Sequence, residues 1–291
     1  MMRLVQNVFL ANAPTVAAQA IGAFGANGVD LVTTFTRSSL DQRAALVAGD
    51  ADVAVTALDN LFAWNQSGGD SQFRAIAQIE RTTTLPVYLA AGLPSLAELA
   101  AREHVRVVVD SAASGFGIAL VAIVESFGAS PDRVELVAVG GVNERLAALV
   151  AGQGDVALLA PFVAKAAADA GLQRATAVEE VYPVYPGLVV AVLQERADDI
   201  GAALTAYLAA LGAGRAWLAA QPDAAAQALV VTGLDEPAAR AQLTLCGAGP
   251  MTVSPDGFEV LRALRVSRGL LPDIPCEYDD FVTDRFLPIE T

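Results

Sequence analysis

Five small residues, Ser111-Ala112-Ala113-Ser114-Gly115, separate the apolar stretch VRVVVD from a second one, FGIALVAIVESFG. Small side chains let backbone amides approach a ligand closely. A helix starting at Ser114 would turn its dipole and its unpaired N–H groups towards an anion. The hydroxyls of Ser111 and Ser114 add donors, and Gly115 leaves room for them. Ser114 equally fits a plain helix cap, and the two roles are compatible. Other polar residues stand at corresponding breaks: Asn12 and Thr15, then Thr36, Arg37, Ser38 and Ser39, then Asp59 and Asn60, and finally Gly141 and Asn143. Arg37 could clamp a carboxylate or sulfonate with two parallel hydrogen bonds, although a solvated surface arginine is the simpler reading. Tyr182, Tyr185, Phe162 and Trp64 are aromatic-wall or core candidates. Tyr185 and Phe162, at a crossover and a strand end, are the preferred pair.

The inventory excludes several chemistries. There is one histidine, His104, placed just before a strand and read as exposed. Without a second histidine or a cysteine cluster, neither a metal site nor a cofactor is expected. GAFGANG, at 22–28, resembles a nucleotide loop only superficially, because it closes a helix instead of following a strand. Cys246 and Cys276 could form one disulfide, but buried thiols fit as well.

Composition narrows the partners. The 291 residues are 54% hydrophobic and 17% charged, ample for packed cores. A net charge of −14 repels polyanions, so no nucleic-acid partner is expected. Lys165 is the single lysine, which rules out a polybasic membrane anchor. No apolar run reaches the ~18 residues of a membrane span, so no direct insertion is expected. The opening MMRLVQNVFLANAPT lacks an uninterrupted apolar region and does not read as a secretion signal. The chain is therefore expected in the cytoplasm, or in the periplasm or at the cell surface if a leader has been removed.

The elements that must position these residues follow a repeated grammar. ALVAGDADVAV at 45–55 returns as ALVAGQGDVAL at 148–158. In each copy a helix ends at a glycine, Gly49 or Gly152, and an aspartate, Asp52 or Asp155, opens a strand. Both aspartates are read as caps of loop amides. Strands are expected at 3–11, 30–36 and 52–57, then at 105–110, across RVELVAVGG and across DVALLAP. Helices stand between them, including TVAAQAIGAFGANG as one helix ending in glycine. Continuous apolar strands with short links to helices indicate open, mostly parallel sheets flanked by helices. ERTTTLPVYLAAGLPSL at 80–96 and VYPVYPGLVVAVL at 181–193 read as two crossovers. The expectation is an α/β chain in two lobes, 1–94 plus 187–291 and 95–186, with a hinge and a cleft. Ligands of open α/β sheets sit at the carboxyl ends of the strands, where the polar breaks fall.

With the segments 46–60, 107–128 and 134–162 in this order, the sequence resembles ABC-transporter solute-binding proteins of the nitrate, sulfonate, taurine and thiamine-precursor type. The resemblance implies a type II periplasmic-binding-protein fold. It also implies a small organic anion as ligand, a membrane permease as partner, and polar ligand contacts at Asn60 and, less strongly, Asp59. Some relatives of that fold are cytosolic enzymes. A pyrimidine synthase type needs histidines and a lysine beyond this inventory, and a desulfinase type needs a cysteine before residue 246. A metal-free lyase or a ligand sensor on the same scaffold is the remaining alternative, and a non-catalytic receptor the preferred reading.

Overall fold

A computed structural model describes residues 1–66, 72–247, 249–271 and 275–288. Its strands are β1 (Met2–Val8), β2 (Val29–Phe35), β3 (Val53–Ala57), β4 (Phe73–Gln78), β5 (Pro86–Leu89), β6 (Val105–Val109), β7 (Val134–Ala138), β8 (Val156–Leu158), β9 (Gln173–Ala177) and β10 (Leu188–Leu193). They form two five-stranded sheets, ordered β2-β1-β3-β10-β4 and β7-β6-β8-β5-β9. In each sheet four of the five strands run in one direction, and the remaining one, β10 or β5, is antiparallel to both its neighbours.

Packing divides the chain into two units. One comprises Met1–Thr82, Pro186–Phe258 and Leu271–Thr291; the other comprises Thr83–Tyr185 and Glu259–Leu270. The segment 83–94, placed in the first lobe by sequence pattern, contributes β5 to the second sheet, and all four β5 residues are buried there. The helix Pro255–Val266 begins in the first unit and ends in the second.

Local chemistry explains the corners. The helix Ser39–Ala48 stops at Gly49 (φ 80°), and the helix Val142–Val150 is followed by Gly152 (φ 69°). Such left-handed backbone is cheap only for glycine. Asp52 then accepts a hydrogen bond from the Val5 amide at 2.8 Å, and Asp155 accepts one from the Arg106 amide at 2.8 Å. The repeated aspartates thus cap an amide of the adjacent strand instead of one in their own loop. The expected single helix after β1 is broken: Ala13–Ala20 ends, Gly22 turns left-handed (φ 69°), and a short helix Ala23–Ala26 follows. A left-handed residue cannot continue a right-handed helix, so the glycine interrupts it.

In the first unit the core lies under the sheet, where Leu4, Val53, Val55, Ile76 and Val190 meet Tyr207 and Leu208 of the helix Gly201–Ala220. In the second unit β6 and β8 carry Val108 and Ala157 against Leu149, Val163 and Ala167. Among the described residues no helix is long and apolar enough to cross a membrane.

Candidate functional site

In both units the parallel strands deliver polar residues to their carboxyl ends. In the first unit Asn12 caps the helix Ala13–Ala20, and its Oδ1 accepts from the Thr15 amide at 3.0 Å. Asn12 is 2% exposed and Thr15 4%. The Asn12 Nδ2 and the Thr15 Oγ1 are nevertheless buried without a hydrogen-bond partner among the described residues. The same holds for Asn7 Oδ1, near the end of β1, and Gln42 Oε1. An unpaired buried polar atom costs about 1–3 kcal/mol, so such a group calls for a partner.

The neighbouring loop is different. Thr36 Oγ1 donates to the Ser38 carbonyl, and Ser38 Oγ accepts from the Leu40 and Asp41 amides, so both hydroxyls serve the helix start. Ser39 is half-buried at the first helical position, and Arg37 is exposed with no polar partner among the described residues. Arg37 therefore has the character of a solvated surface cation. After β3, Asp59 is buried and Asn60 donates to Thr56 Oγ1 at 2.7 Å.

In the second unit Ser114 does cap its helix. Its Oγ accepts from the Gly117 amide at 2.9 Å, and its hydroxyl donates to Asp110. Ser111 is exposed, whereas Gly115, the first helical residue, is buried. The loop is propped from below by Arg265, 1% exposed, which donates to the Ala113 carbonyl at 3.3 Å. Gly141 caps the helix Val142–Val150 without a side-chain bond, and Asn143 is exposed on that helix. Phe162 is 47% exposed in the turn after β8. Tyr185, expected as an aromatic wall, is 2% exposed and stacks on Phe116 with ring centres 5.9 Å apart. It packs as core, because the crossover segment folds back over the helix Gly115–Ser126.

Sequence reasoning missed Arg145 and its surroundings. This half-buried residue donates to the carbonyls of Leu158 (2.9 Å) and Gly140 (2.8 Å), at the ends of β8 and β7. Burial lowers its guanidinium from the ordinary arginine value, against the opposing charges of Asp110 and Glu144. Arginine stays a cation in any case. Arg145, Asp110, Phe116, Gly117 and Leu158 line a cavity of about 20 Å³, room for one small group. The available signal was a cation three residues before the second copy of the repeated phrase, at the place where Gln42 precedes the first.

Glu80, beyond β4, was also unflagged. Desolvation raises its carboxyl to about 7, partly countered by a hydrogen bond with the Leu188 backbone. His104 is exposed and paired with Glu135 at 2.6 Å.

Residues 11–225 match the NMT1/THI5-like family. The chain belongs to that family. No curated protein matches it in sequence. Among solved structures, this NMT1/THI5-like chain is similar to the ligand-binding component of an ABC-type import system from Staphylococcus aureus with zinc bound. The identity is 15%, the TM-score 0.79, and 98% of each chain is covered. It is similar to the alkanesulfonate-binding protein SsuA from Xanthomonas axonopodis pv. citri bound to MOPS, at 17% identity and TM-score 0.76 over 97% of each chain. A third likeness is to the periplasmic nitrate-binding protein NrtA from Synechocystis PCC 6803, at 12% identity and TM-score 0.77, covering 98% of this chain and 87% of that one. The fold is accordingly of the periplasmic-binding-protein type. Among the described residues no group of three His, Cys, Asp or Glu side chains is placed to hold a metal ion.

Proposed function

We propose that this NMT1/THI5-like chain is the solute receptor of an ABC-type importer. Its ligand is a small organic anion, a carboxylate, sulfonate or related heteroaromatic acid. The ligand binds through the polar groups at the carboxyl ends of the parallel strands. The observation that carries this reading is the pair Asn12 Nδ2 and Thr15 Oγ1, two buried donors at a helix N-terminus without a partner among the described residues. An acceptor-rich ligand oxygen would satisfy both and would meet the favourable end of the helix dipole. The Ser111–Gly115 loop offers a second set of small-residue amides. The alkanesulfonate-binding protein bound to MOPS and the nitrate-binding protein, both of similar fold, agree with an anionic ligand. A receptor of this kind works outside the cytoplasmic membrane, with a membrane permease as partner.

Time-resolved, ligand-observed proton NMR against a library of small organic acids tests the reading. Signals that broaden and then persist for hours support a receptor. A signal that decays while a product grows overturns it in favour of an enzyme, and a library without any binder overturns it altogether.

A further inference from the structure

Resting on the anion-receptor reading, the geometry points to Arg145 as the residue that pairs with the ligand's negative group in the second unit. Asp110, the carboxylate that borders the same cavity, opposes that ligand. The argument starts from the repeated phrase. Three residues before the first copy stands Gln42, whose Nε2 donates to the Val55 carbonyl at 3.2 Å. Three residues before the second copy stands Arg145, whose Nε donates to the Leu158 carbonyl, the position matching Val55, at 2.9 Å. A neutral amide therefore suffices for the structural tie between helix and strand end. The charge on Arg145 is surplus to that task.

A surplus charge that is partly removed from water costs free energy unless something compensates it. Arg145 forms no ion pair among the described residues, and the negative charges that face it are those of Asp110 and Glu144. Its Nε and Nη1 are engaged by carbonyls. Its Nη2 has no hydrogen bond among the described residues and remains available to a ligand oxygen. The guanidinium borders the cavity shared with Asp110, Phe116 and Gly117, beside the loop that Ser114 caps. In a chain of net charge −14, a local cation of this kind favours a small anion over the repulsion of the whole. Arg37, which the sequence offered as a possible clamp, stands exposed.

The test compares the wild-type chain with Arg145→Gln, Arg145→Lys and Asp110→Asn, by calorimetric titration with methanesulfonate, benzoate and nitrate. Thermal unfolding is measured in parallel. Arg145→Gln copies the solution of the first unit, so its melting temperature should stay within about 4 °C of wild type, the shift that corresponds to roughly 1 kcal/mol. Its affinity for every probe the wild type binds should fall about tenfold or more, the scale of a charge-assisted hydrogen bond. Arg145→Lys should lie between the two, and Asp110→Asn should bind several-fold tighter. If the wild type binds a probe and Arg145→Gln binds it equally well, the assignment of Arg145 is overturned while the receptor reading stands. If the wild type binds none of the three, both fall together. A loss of affinity in Arg145→Gln that is matched by loss of stability, with Arg145→Lys equally impaired, also overturns the assignment.

Discussion

Replacing Glu80 by glutamine should stabilise the first unit at pH 8 and leave it nearly unchanged at pH 4. Burial lifts this carboxyl from 4.5 to about 7. At about 1.4 kcal/mol per unit, holding it ionised in the folded state costs about 3 kcal/mol relative to the unfolded chain. Below pH 4.5 the carboxyl is protonated in both states and there is no penalty. Between 4.5 and about 7 only the unfolded form ionises, so stability falls as pH rises. Above 7 the loss is complete. Glutamine keeps an oxygen to accept from the Leu188 backbone and adds an amide whose cost does not depend on pH, so the pH slope is the readout. Both tryptophans, Trp64 and Trp217, lie in the first unit, which allows urea unfolding followed by fluorescence to report on that unit alone. The stability difference between variant and wild type should grow by about 3 kcal/mol from pH 4 to pH 8. A difference flat across that range would refute the burial argument.

Other expectations are as direct. Ser114→Ala removes the cap on the Gly117 amide and should lower the stability of the second unit by about 1 kcal/mol, while weakening anion binding several-fold by calorimetry. Asp155→Ala should destabilise by about 3 kcal/mol in urea titrations, because it frees the Arg106 amide and leaves Arg102 and Arg106 without their carboxylate. Gly187→Ala would place a Cβ 2.3 Å from the Thr82 carbonyl oxygen and 2.6 Å from that of Glu80, so its melting temperature should drop by several degrees, as a clash against backbone demands. Burial pushes the Cys246 thiol up to about 12; iodoacetamide at pH 8 should leave it unmodified in the native chain and alkylate it in urea, as peptide mass spectrometry would show.

The repeated phrase made the helix–strand corners legible, because glycine and aspartate each have one inexpensive use there. Ser114 was legible as a helix start, because its hydroxyl can cap a first-turn amide. What escaped was decided by distant pairing. That β10 lies between β3 and β4 depends on contacts across more than a hundred residues, which no local pattern encodes. Tyr185 reads identically as wall or core until Phe116 is found beside it. Arg145 follows Asn143 and Glu144 in a polar run, and only the carbonyls of Gly140 and Leu158 set it apart. Glu80 gave no signal at all, since desolvation is a property of everything packed around it.

The place of β10 also bears on how the chain is made. The second sheet draws all its strands from one continuous stretch, Pro86 to Ala177. The first sheet cannot close until Leu188–Leu193 slips between two strands synthesised more than a hundred residues earlier. On the ribosome, β3 and β4 therefore wait with open edges while the second unit completes its sheet. Exposed edges of this kind invite pairing with other chains. A nascent chain halted before residue 188 should consequently carry a finished second sheet and an aggregation-prone first one.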